Sequence, residues 1–123
     1  GNCYSGGTIQ EAFRLNHPLI SVPVVPHAGS LPEQNVLFRC PDENIVIETF
    51  KRSEDAAAYI LRMYETCNAL TETSLQSAFP LSAVEECDLM EHPLRKIPIN
   101  TPDQFTFRIA PFEIKTFKLY SKT

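Results

Sequence analysis

Three carboxylates crowd one short stretch of this chain, in Glu85-Glu86-Cys87-Asp88. A second group comprises Glu48 and the pair Glu54-Asp55. Two carboxyl groups about 5–10 Å apart can divide the acid and base roles of a glycoside hydrolysis. In an extended segment Glu86 and Asp88 share a face and Glu85 takes the other. Nothing around these residues forms a pocket signature or gives a reason for a raised pKa, and Trp, the usual platform for a sugar, is absent. No catalytic residue is assigned.

His17, His27 and His92 lie far apart, and His17 and His92 each precede a proline, which suggests turns. The cysteines, Cys3, Cys40, Cys67 and Cys87, contain no close pair of the kind zinc sites use. No metal ligand is assigned. The cysteines are read as reduced thiols packed as small apolar groups, which fits a cytoplasmic protein. There is no phosphate-binding glycine loop, nucleophile elbow or HExxH. Gly6-Gly7 is read as a lead-in to a helix rather than an anion site. Arg62 and Glu65 lie three apart in a strand-like run. They must therefore point to opposite faces and find separate partners.

These residues need a scaffold. The chain's 123 residues suit one domain, large enough to hold a core without a disulfide or metal. Its net charge of −4 argues against nucleic acid, and no apolar run is long enough to span a bilayer. The chain opens on Gly1 rather than Met, which is expected of an artificial leading residue or a cut within a longer polypeptide.

Residues 1–17 form a lead-in with a short helix over about 8–15. Thr8 and Glu11 make a capping box, and Ile9, Ala12 and Phe13 share a face. From Pro18 the period becomes two. Strands are expected at 19–25, 35–40, 45–51, 58–67, 72–78, 83–89, 104–109 and 112–120, with prolines in the breaks, including a long break over 93–102. Pro23 makes 19–25 an edge or irregular strand. Residues 58–67 carry bulk on both faces, so both faces are expected to be covered. The whole reads as all-β: a two-sheet antiparallel, immunoglobulin-like sandwich over 18–123 behind the lead-in.

The last strand changes parity. Phe112 and Ile114 are expected to face the core after a tight Ala110-Pro111 turn from its hairpin partner, 104–109. Phe117 and Leu119 fall on the other parity. Either a β-bulge at Lys115-Thr116 re-aims them, or they cover a second surface.

Five stretches together carry a resemblance: EAFRLNHPL (11–19), NIVIETFKRSED (44–55), YILRMYE (59–65), AVEECDLMEHPL (83–94) and APFEIKTFKL (110–119). In order and spacing they resemble the C-terminal end of family 38 glycoside hydrolases, the α-mannosidases of bacterial and cytosolic type above all. The turn after the Tyr64-Glu65 pair departs from the family's glycine-rich form, and the proline-rich 93–103 is no family signature. The resemblance implies a non-catalytic last β-sandwich of a retaining α-mannosidase acting on terminal α-linked mannose. It implies that the nucleophilic Asp and the ligands of a divalent metal, zinc as a rule, lie in a catalytic domain outside this sequence. The expected partner is that catalytic domain, with oligomers formed through the parent chain. Phe13, Leu15, Asn16, Lys51, Arg52 and Arg62 are the expected docking residues, and Arg52 and Asp55 form a turn expected to face the cleft. The competing expectation is a stand-alone carbohydrate-binding or adhesion module with an exposed aromatic platform.

Overall fold

Alternating β-branched and aromatic residues build nine strands in the computed structural model, which describes residues 2–30 and 32–122. These are β1 (Phe38–Arg39), β2 (Ile45–Arg52), β3 (Tyr59–Glu65), β4 (Thr71–Ser77), β5 (Leu81–Cys87), β6 (Pro93–Ile97), β7 (Ile99–Thr101), β8 (Gln104–Ile109) and β9 (Ile114–Ser121). They form a four-stranded sheet, β1-β4-β8-β7, and a five-stranded sheet, β2-β3-β9-β5-β6. All pairings are antiparallel. Leu75, Phe105, Phe107 and Ile109 from the first sheet meet Leu61, Met63, Val84, Phe117 and Leu119 from the second in one core. Phe117 is the keystone, with ring centroids 5.1 Å from Phe105 and 4.9 Å from Phe107.

The chain divides into two units, Gly1–Gln34 and Asn35–Thr123. In the first, α1 (Thr8–Asn16) forms where expected, but its cap differs. Gly7, at φ 67°, is the N-cap, and no side chain caps the helix. That left-handed turn needs glycine. It leaves Glu11 one position too late for the reciprocal bond, so Glu11 pairs with Arg14 instead. The expected strand at 19–25 is absent, and residues 18–29 carry no regular element.

The proline-rich 93–102 is the opposite surprise, since it holds two strands. Pro93 opens β6, Pro98 separates β6 from β7, and Pro102 follows β7. Both are edge strands, one in each sheet. An edge position tolerates the missing N–H, and Pro98 carries the chain from one sheet to the other.

The last strand also corrects the sequence reading. β8 and β9 do not pair; they lie in different sheets. The turn between them crosses the sandwich, with Phe112 at φ 56° and the Glu113 N–H donating to the Ala110 carbonyl at 3.1 Å. Pairing with β3 then runs without a shift from Tyr64↔Ile114 to Tyr59↔Leu119, so no bulge interrupts Lys115-Thr116. Lys115, Phe117 and Leu119 face inward, opposite Met63, Leu61 and Tyr59. Phe112 and Ile114, expected in the core, are more than half exposed. Register shifts lie elsewhere; in β5 Ser82 is the extra residue against β9, and in β2 Glu48 is the extra residue between Ile47↔Met63 and Thr49↔Arg62. The inner face there passes from Ile45 and Ile47 to Phe50.

Candidate functional site

A network of charged side chains lies on the outer face of the five-stranded sheet. Register places Lys51 and Thr49 of β2, Ile60 and Arg62 of β3, and Thr116 and Lys118 of β9 on that face. Ile60, Thr116 and Lys118 are nevertheless buried, as the expectation of a doubly covered β3 requires. Two turns supply the ion pairs that close over this face. In the β2–β3 turn the Ser53 N–H donates to the Ala58 carbonyl at 2.9 Å, and Ala56 adopts φ 57°. Asp55 accepts from the Ser53 hydroxyl at 2.7 Å and the Ala57 N–H at 3.1 Å, and pairs with the Lys118 ammonium at 2.5 Å. The Lys118 bond, then Ser53 and Ala57, hold the Asp55 carboxyl well below the usual carboxylate range.

The β5–β6 turn contributes Glu91, a buried carboxylate at φ 67°. It accepts from the Glu54 N–H at 2.8 Å and pairs with Lys51 at 2.7 Å. Lys51 and the Glu54 N–H hold the Glu91 carboxyl below its ordinary value against burial. Asp88 closes this turn by accepting the N–H groups of Met90 and His92 at 2.8 and 2.9 Å.

Each expected docking residue of β2 and β3 therefore has a partner within the sandwich. Arg62 donates to the Thr116 hydroxyl at 3.1 Å and the Leu89 carbonyl at 3.2 Å. Arg52 is exposed and donates to the Ala56 carbonyl at 3.3 Å. In the other unit, Phe13 stacks on His17 at 4.1 Å, Asn16 donates to the Ala12 carbonyl at 2.9 Å, and Leu15 is exposed.

The carboxylates that suggested acid–base chemistry are separated. Glu85 accepts from the Tyr120 hydroxyl at 3.0 Å, whereas Glu86 points to the inner face. There Lys115 reaches Glu86 at 2.7 Å and Glu113 at 3.1 Å, while Arg95 reaches Glu86 at 2.7 Å. Burial pushes the Glu86 carboxyl up, but Lys115 and then Arg95 outweigh it and hold it low. Such a carboxyl is not poised for proton donation, and both its oxygens are engaged by cations, Oε1 by Lys115 and Oε2 by Arg95. Its role is structural, and it is testable by a mutant cycle. Lys115→Met should cost about 2–3 kcal/mol by leaving the half-buried Glu86 with Arg95 as its only cation, and Lys115→Met/Glu86→Leu should recover at least about 1 kcal/mol of that. Additive effects in urea denaturation would show that the pair is not coupled.

Sequence reasoning missed Glu65. It was separated from Arg62 correctly, but its partner comes from neither neighbouring strand. The carboxylate is buried at the inner end of β3, where it accepts from the side-chain amide of Asn44 (2.9 Å), the Cys67 N–H (2.7 Å) and the Phe112 N–H (3.0 Å). It thereby ties together three turns that are distant in sequence. A lone Glu at the end of an inward-facing apolar row was the available signal.

Cavities among the described residues include two of note. One, of about 390 Å³, lies among Leu37, Phe50, Tyr59 and Phe79. The other, of about 650 Å³, is lined by residues that include Arg39, Ile45, Gln76 and Gln104. Neither lining contains a carboxylate or histidine. The rings of Phe38, Phe50, Tyr59 and Phe79 meet edge-on or tilted, at 31–77°, so they form no flat sugar platform. Among the described residues no group of His, Cys, Asp and Glu is arranged to hold a metal ion, so the divalent ion that the resemblance implies has no fit here.

Comparison with known proteins agrees with a β-sandwich scaffold. The profile of the "Glycosyl hydrolases family 38 C-terminal beta sandwich domain" matches residues 44–117, from just before β2 into β9. Alpha-mannosidase G of Dictyostelium discoideum is 27% identical over 98% of this chain and 11% of its own length. Alpha-mannosidase 2C1 of Mus musculus is 25% identical over 97% of this chain and 12% of its own length. The Homo sapiens protein of that name is 29% identical over 76% of this chain and 9% of its own. The chain thus spans about a tenth of the length of these curated relatives.

Proposed function

The chain belongs to the family of C-terminal β-sandwich domains of family 38 glycosyl hydrolases, and from that premise we propose that it serves as the non-catalytic closing domain of an α-mannosidase. The parent is read as a retaining hydrolase that removes terminal α-linked mannose. Its nucleophilic Asp and its divalent metal, zinc in this reading, belong to a catalytic domain outside these 123 residues. This domain's work is to pack against that catalytic domain and complete it, and any oligomer forms through the parent. One observation supports the reading most: the family match covers residues 44–117, most of the sandwich.

The docking role is best supported at Leu15 and Arg52, whose side chains remain exposed. Lys51 and Arg62 would have to contact a partner while keeping the bonds they already make. For Asp55, the cleft-facing role would have to coexist with the Lys118 pair. The four free cysteines are in keeping with a cytosolic parent.

The test is hydrolysis of an aryl α-mannoside by the full-length protein and by this chain alone. Turnover is expected only in the full-length protein, with the α-anomer of mannose released first. Hydrolysis by this chain alone, or an inactive full-length protein, would overturn the proposal.

A further inference from the structure

Residues 19–25, Leu-Ile-Ser-Val-Pro-Val-Val, form an apolar run that takes no regular element of its own. Leu19, Ile20, Val22, Val24 and Val25 are 69–103% exposed. Scattered apolar side chains on a surface are ordinary, but five within seven residues mark a contact surface. Four of the seven are β-branched, which favours a strand, and Pro23 and Pro26 exclude a helix.

Pro23 also sets which edge of that strand can pair. In an extended chain, alternate residues present their N–H and C=O groups to opposite sides. The edge formed by Ser21, Pro23 and Val25 lacks its central donor. The edge formed by Ile20, Val22 and Val24 is complete. The segment is therefore built to pair on one side only, as the outermost strand of a sheet.

The occupant of that side follows from the relatives. The matches to the Dictyostelium and mouse proteins take in 98% and 97% of this chain, and so include this segment, yet they leave roughly nine-tenths of each relative unmatched. We propose that residues 19–25 attach this domain to the remainder of the α-mannosidase polypeptide by adding as an edge strand to a sheet there, bonded through Ile20, Val22 and Val24. This rests on the reading of the chain as part of a longer α-mannosidase.

Residue-resolved hydrogen exchange on the full-length protein tests it, with this chain alone as reference. The amides of Ile20, Val22 and Val24 should be protected at least about 100-fold in the full-length protein, while those of Ser21 and Val25 exchange freely. Val22→Pro, which removes a partner-facing N–H, should abolish the protection across the segment, whereas Ser21→Pro should keep it. Free exchange at all five amides in the full-length protein would overturn the proposal, as would protection without alternation. Protection of this chain alone that rises with its concentration would assign the edge to a second copy and would also overturn it. Mannosidase assays on the same sample separate the two readings. An active enzyme with a freely exchanging segment sinks only the strand, and an inactive one with alternating protection sinks only the parent.

Discussion

Glu65→Ala is expected to lose about 3–5 kcal/mol of folding stability, the cost of removing the acceptor from several buried donors at once. The Asn44 amide and the Cys67 and Phe112 N–H groups all end on this one carboxylate. Truncation would leave the Cys67 and Phe112 N–H groups without their carboxylate acceptor and the Asn44 amide with the Thr71 hydroxyl alone. Glu65→Gln keeps the shape but turns an NH₂ group toward donors, so it should cost about 2–3 kcal/mol. Urea denaturation with an unchanged slope measures both. A loss below about 0.5 kcal/mol for Glu65→Gln would mean that the three turns are held by other contacts.

The same site carries a pH dependence of fixed sign. Burial alone would raise the Glu65 carboxyl, but the Phe112 N–H, the Asn44 amide and the Cys67 N–H together hold it below its ordinary value. A carboxyl lowered in the folded state contributes stability that is complete above the unfolded carboxylate pKa of about 4.3 and is lost as pH falls through the folded value. Glu86 titrates with the same sign. Denaturation midpoints should therefore fall below about pH 4, and Glu65→Gln should flatten that fall.

Phe117→Ala should cost about 3–5 kcal/mol, because it opens a cavity beneath two aromatic neighbours in a close-packed core. Phe112→Ala, five residues earlier and equally aromatic, should cost less than about 1 kcal/mol, since that ring lies mostly in water and its backbone is in the left-handed region. The ranking is the informative result. A register with Phe112 and Ile114 inward demands the reverse order. Equal losses would mean that the β8–β9 crossing packs Phe112 as firmly as the core packs Phe117.

Alternation was a reliable guide wherever a strand had one apolar face. Thus β8, with Phe105, Phe107 and Ile109 inward, reads directly from the chain, as do the positions of β2 to β5. It failed at β9 because both parities there carry large apolar groups, and side-chain type does not say which set is inside. Two things outside the strand decide that: the tilt of the 110–113 turn, which Glu65 fixes from 47 residues away, and the Lys115–Glu86 pair, which makes a lysine tolerable on the inner face. The edge strands β6 and β7 were hidden for a different reason. Proline signals a break in a central strand, but on an edge it merely leaves one unpaired position facing solvent.

The candidate docking residues divide along the same line. Charge and exposure could be guessed for Lys51, Arg52 and Arg62, but their partners could not. Glu91 reaches Lys51 from 40 positions later in the chain, and Leu89 reaches Arg62 from 27. Local sequence carries no trace of such meetings, because they depend on which turns fold over which face.

By itself the sequence determined an all-β chain with a short helix before it, the separation of Arg62 from Glu65, and a likeness to one glycosidase family. These are consequences of period, propensity and the order of short motifs, all local or additive along the chain. Only the tertiary structure decided the two sheets' membership, the inward face of the last strand and the commitment of each buried carboxylate. Those depend on contacts between residues far apart in sequence, where one buried hydrogen bond outweighs a local preference.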